Sequence, residues 1–104
     1  MNQNYKDAIA YIEKHPDRFP KTMIRLKFKG KYSPLGALCH FFEIKTDNLI
    51  WKGGIAICWD EDESEIWLPK AVATYFDLTT KDQMKISELE SNGLDIVACL
   101  KGLL

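Results

Sequence analysis

Residues 58–67 read CWDEDESEIW: Asp60, Glu61, Asp62 and Glu63 run consecutively, Glu65 follows, and Trp59 and Trp67 flank them. Clustered carboxylates repel one another, so such a run draws in a cation or a basic partner, or stays in water at the tip of a hairpin. Asp60, Asp62 and Ser64 have the spacing that opens a calcium loop, which also needs glycine at its sixth position and a bidentate glutamate at its twelfth. Those positions hold Glu65 and Ala71, so the calcium reading fails on both counts and no metal is assigned. What is left is charge beside aromatic area. Surface tryptophans flanked by charge are typical interface anchors, and charge steers the encounter. The expectation is a protein-binding tip of Trp59, Asp60, Glu61, Asp62, Glu63, Glu65 and Trp67 that takes a partner with a basic surface. The competing account is a solvated hairpin end whose acids keep the sheet edge from pairing with another chain.

A second run, Arg25, Lys27, Lys29 and Lys31, is interleaved with Phe28 and Tyr32. Lysines and aromatics together can track a phosphate backbone and stack bases. Strand alternation, however, places Phe28 on the face opposite the lysines, toward the core, and the spacing misses the aromatic RNA-recognition signature. This predicts a wet strand face, with nucleic-acid association as the alternative function. Residues 79–100 have the layout of a helix-turn-helix, but their last helix is rich in Ile, Val and Leu and carries only Lys101, which favours a packed helical hairpin over a DNA reader.

Catalytic signatures are missing: there is no G-x-S-x-G, no phosphate loop, no dinucleotide fingerprint and no H-E-x-x-H. Cys39 and His40 adjoin, yet adjacent side chains on a helix diverge by about 100° and cannot serve one substrate as nucleophile and base. An enzyme is an unsupported third reading, and no cofactor is implied. Cys39, Cys58 and Cys99 lack the paired spacing of a zinc site and sit among apolar neighbours, as reduced core thiols do.

The totals agree with one small globular domain: 104 residues, 46% hydrophobic and 28% charged, with a net charge of −1. Residues 1–31 hold eight Lys or Arg against three acids, and residues 32–104 hold six against twelve. A dedicated nucleic-acid binder usually shows a basic excess overall. No run approaches the roughly 20 apolar residues of a membrane span, and MNQNYKD is neither a secretory signal nor a transit peptide, so the expected location is cytoplasmic.

These groups must be positioned by helices and short strands. Tyr5, Ala8, Ile9 and Ile12 fall on one stripe of a helix over 4–15, closed by Pro16. Ile24, Leu26 and Phe28 alternate in a strand over 23–29, and Ser33-Pro34 caps a helix with Leu35, Leu38, Cys39 and Phe42 inward. A strand over 49–59, bulged at Gly53-Gly54, in which Ile55, Ile57 and Trp59 alternate and Ile55 and Ile57 join the core, returns through 65–68 with the acids as the connecting loop. Pro69 to Phe76, a helix capped at Thr80 with Gln83, and a last helix carrying Ile96, Val97 and Leu100 complete the chain. Leu89 is counted with the core. The fold class is α+β: about five helices around a small antiparallel sheet. Of three tryptophans at 51, 59 and 67, at least one must stay partly exposed.

SPLGAL (33–38) and LPKAVATYFDLTTKDQMKISELESNGLDIVACL (68–100) resemble a loosely defined group of small uncharacterised bacterial and phage proteins with a C-P-x-G-A-L helix start and a helical tail. Ser33 stands where the group has cysteine, and Leu89-Glu90-Ser91 replaces its Leu-Asn-Asp. The resemblance implies the helical tail and no activity.

Overall fold

The computed structural model describes residues 2–22, 26–58, 62–64 and 66–104, with the backbone course alone for 62–64. Its first helix, α1 (Gln3–Lys14), starts where the Asn2 side chain accepts a hydrogen bond from the Tyr5 amide and ends before Pro16. Tyr5, Ala8, Ile9 and Ile12 form its buried stripe, as their spacing predicts. A 3-10 turn (Pro16–Arg18) follows, and the chain then enters a small hairpin, β1 (Lys27–Phe28) and β2 (Lys31–Tyr32). Lys29 and Gly30, at φ 50° and 76°, form its two-residue turn, whose left-handed pair matches the twist of the strands it joins.

The helix α2 (Pro34–Thr46) is the centre of the molecule. Ser33 caps it by accepting from the Gly36 amide, and burial continues around most of its first half through Leu35, Ala37, Leu38, Cys39, Phe41 and Phe42. Such all-round apolarity marks a helix packed on several sides, and α2 touches the other four helices, β2 and β3. Gly36 is where it meets the first hairpin: a Cβ there would lie 1.7 Å from the Leu26 carbonyl oxygen.

The second sheet has the order β3 (Leu49–Lys52), β4 (Ile55–Cys58), β5 (Asp62–Ser64), all antiparallel. Three helices close the fold: α3 (Lys70–Phe76), α4 (Thr80–Ser91) and α5 (Ile96–Lys101). The Tyr5 hydroxyl donates to the Leu100 carbonyl at 2.5 Å and its ring meets Phe76 edge-on, so the first and last helices share one core. Each fully buried Leu, Ile or Phe contributes on the order of 1.5–3 kcal/mol. The Cα radius of gyration, 12.1 Å, is close to the ~13 Å expected for one domain of this length.

The architecture is the expected α+β class, helix-rich with five helices, but the strands differ in detail. Among the described residues the strands form two separate sheets, since β1 pairs with β2 and with no strand of the other sheet. Gly53 and Gly54, at φ 60° and 91°, form a tight turn between two strands and do not bulge a single one. The return strand is 62–64, so Asp62 and Glu63 belong to it and not to the loop, while 66–68 lie outside any strand. The phase of β4 is also reversed: Ala56 and Cys58 are fully buried, and Ile55 and Ile57 are half-buried. Register explains this, because Ala56 and Cys58 sit opposite Trp51 and Leu49 on the face that α2 covers, where small side chains admit the helix. Phe28 and Leu89 are likewise half-buried. The capping box of α4 is Thr79 with Asp82, one residue earlier than expected.

Candidate functional site

Of the expected acidic tip, Trp59, Asp60, Glu61 and Glu65 lie outside the described residues. The backbone of β5 sets Asp62 opposite Cys58 and Glu63 opposite Ile57, on the edge of the second sheet. Trp67 is 45% exposed and Ile66 57%. The segment is anchored just beyond them, where the buried Leu68 donates its amide to the Gln83 side chain at 2.9 Å. That bond ties Trp67 to α4, whose outer face carries Met84, 57% exposed. Trp67 and Met84 line a shallow depression of about 490 Å³ together with Lys81, Lys85, Ser87, Glu88 and Ser91.

Of the basic run, Arg25 lies outside the described residues. Lys27, Lys29 and Lys31 sit on the first hairpin, Lys31 exposed on β2. The strand is only two residues long and Lys29 lies in the turn, so simple alternation breaks down. Phe28 does not point away from the lysines into the core; it lines an open recess of about 430 Å³ with Lys27, Lys29, Trp51, Gly53 and Gly54. The Lys27 ammonium lies 5.5 Å from the Tyr32 ring centroid and 5.2 Å from that of Trp51, and the Lys29 ammonium 5.4 Å from that of Phe28.

Behind this recess is a polar network that sequence reasoning missed. The Glu43 carboxylate accepts from the Trp51 indole N–H at 3.1 Å and bonds His40 Nδ1 at 3.0 Å through the same oxygen, Oε1. A carboxylate oxygen accepts, so Nδ1 is the donor in this bond. The His40 ring stacks on Tyr32 at 4.9 Å, with 11° between planes, and meets Phe19 edge-on. Burial, and then the Glu43 charge, raise the Tyr32 phenol above its usual pKa. The His40–Glu43 half was legible as an i,i+3 pair on a capped helix. Trp51 and Tyr32 come from two different sheets, and no local pattern announces that they meet there.

Cys39, Cys58 and Cys99 are buried and form no disulfide among the described residues. Burial pushes Cys39 well up, with Cys58 and Glu43 adding to the rise, so it does not supply a thiolate nucleophile. Among the described residues no group of three or more His, Cys, Asp or Glu could hold a metal ion, and no helix is long and apolar enough to cross a membrane. A third depression of about 410 Å³ lies between α1 and the start of α5; Lys21 on its wall donates to the Leu94 carbonyl at 2.6 Å.

Comparison with family models, with curated proteins and with solved structures finds no match. The surfaces are therefore read from their own geometry.

Proposed function

We propose that this chain is a small cytoplasmic protein-binding module, in the manner of an inhibitor, immunity or accessory protein, and that Trp67 is its anchor. One observation carries the reading. Of the six large apolar side chains exposed among the described residues, Trp67, Met84 and Ile66 lie close together, two of them lining one depression on α4. Large aromatic and methionine side chains of this kind dominate interface energetics when a partner covers them. The partner's character comes from charge: five acids stand within residues 60–65, immediately before Trp67, and favour a basic surface through long-range attraction. Three buried cysteines outside any disulfide agree with a reducing compartment.

The test compares wild type with W67A and with a variant carrying Asn or Gln in place of Asp60, Glu61, Asp62, Glu63 and Glu65, as baits in nuclease-treated host lysate. A captured basic protein should bind W67A at least about 30-fold more weakly, as expected for an aromatic hot spot of about 2 kcal/mol. The acid-neutralised bait should associate more slowly and lose most of its salt dependence. Equal capture by all three baits would sink the reading.

A further inference from the structure

The recess between the two hairpins takes no part in that protein-binding face, and its chemistry is different. On one side stand Lys27, Phe28 and Lys29; on the other, Trp51 and the Gly53-Gly54 turn. Three features set it apart from an ordinary wet strand face.

The first is an oriented ring. Trp51 is half-buried on β3, and its indole N–H is committed to Glu43 from behind, which fixes the plane of the ring. The second is the placement of charge. The Lys27 ammonium lies within cation–π distance of both Tyr32 and Trp51, and that of Lys29 lies over Phe28. Among the described residues no carboxylate pairs with either lysine. The third is a low wall. At Gly53 a Cβ would meet nothing within 4 Å, so the turn is glycine because of its φ of 60° and leaves the mouth of the recess open.

An oriented aromatic face next to two aromatic-backed ammoniums matches a planar, electron-poor ring joined to an anion. We propose that this recess binds one nucleotide unit, its base stacked on Trp51 and its phosphate held by Lys27 and Lys29. Stacking platforms bordered by lysine are the usual means of holding unpaired bases, and they read no particular sequence because every base presents a π-face. The recess, at about 430 Å³, falls within the usual range for small-ligand sites. The same chemistry is offered by a free nucleotide and by an unpaired strand. Duplex DNA is disfavoured, because its bases are not available to stack and the chain as a whole is not basic.

The experiment uses the full chain as W59F/W67F, so that Trp51 is the sole fluorophore, titrated with thymidine monophosphate, with an eight-residue oligothymidylate and with polyglutamate. Saturable quenching of Trp51 by a thymidine ligand is expected. If the source is a strand, the oligomer binds far more tightly than the monophosphate, and log K falls with log salt at a slope of about −0.7, the value for one phosphate contact on a single strand. If the source is a free nucleotide, the two bind alike per nucleotide. K27Q and K29Q should each weaken binding about tenfold, as for loss of one charge-assisted contact. Lys29 is exposed in a turn, so K29Q tests the proposal even if K27Q perturbs folding. No quenching by either thymidine ligand, equal quenching by polyglutamate, or binding unchanged in K29Q would overturn it.

Discussion

Trp51 and Trp67 are both partly exposed, and their surroundings could hardly differ more. Trp51 sits in a strand, its N–H held by Glu43 and a lysine ammonium lying against its ring. Trp67 sits on irregular chain tied down one residue later, through the Leu68 amide and Gln83, and looks across a shallow depression at Met84. A ring fixed in its plane suits a planar ligand, because little ordering remains to be done on binding. A ring on a short tether beside a flexible methionine suits a surface that must adapt. The same residue type thus serves two recognition modes, and the difference lies in what holds it.

The comparison can be broken most forcibly at the contact between α2 and the first hairpin. G36A places a methyl group on the Leu26 carbonyl, where the obstacle is backbone and cannot swing aside. It should cost about 3 kcal/mol in chemical denaturation and displace the hairpin, abolishing binding at the Trp51 recess while sparing the Trp67 face. Retention of both would mean that the two surfaces do not depend on separate supports.

A gentler cut exchanges the two rings. W51A should destabilise the fold by about 2 kcal/mol, since it removes a half-buried ring and a charge-assisted hydrogen bond. W67A should change stability by less than about 1 kcal/mol, because its ring is largely outside the core. Thermal or urea unfolding of the pair settles the ranking, and equal losses would erase the distinction drawn above.

The smallest effect is electrostatic. E43Q keeps an acceptor for the Trp51 N–H and removes the charge that helps to raise the Tyr32 phenol. Deprotonating a tyrosine beside a carboxylate is disfavoured, so neutralising Glu43 must lower the Tyr32 pKa. Burial is the larger cause and remains, so the phenol should still titrate above the usual tyrosine range. Ultraviolet titration of the phenols reads the shift, and an unchanged curve would show that Glu43 does not act on Tyr32.

How much of this was legible beforehand follows the range of the forces involved. The stripe of α1, the Ser33 cap and the helical tail are local patterns, and each appears where its residues place it. The Gly53-Gly54 pair was visible as an interruption, but whether two glycines bulge a strand or reverse it depends on what the next residues pair with. The alternation of Ile55 and Ile57 misled for a related reason. Period two tells which residues share a face and leaves open which face is buried, and α2 chose the side of Ala56 and Cys58. Likewise the charge and aromatic content of 25–32 were plain, while the meeting of Lys27 with Trp51 was not.

Chain order alone therefore sufficed for the α+β class, the helix starts and stops and the residue types available for recognition, because capping and periodicity act within a turn or two of backbone. The arrangement of those residues into an oriented ring, a bridging carboxylate and two aromatic-backed lysines came from packing α2 between two hairpins. Glu43, Tyr32, Trp51 and Lys27 stand on four different elements, and contact between them depends on how the whole core closes.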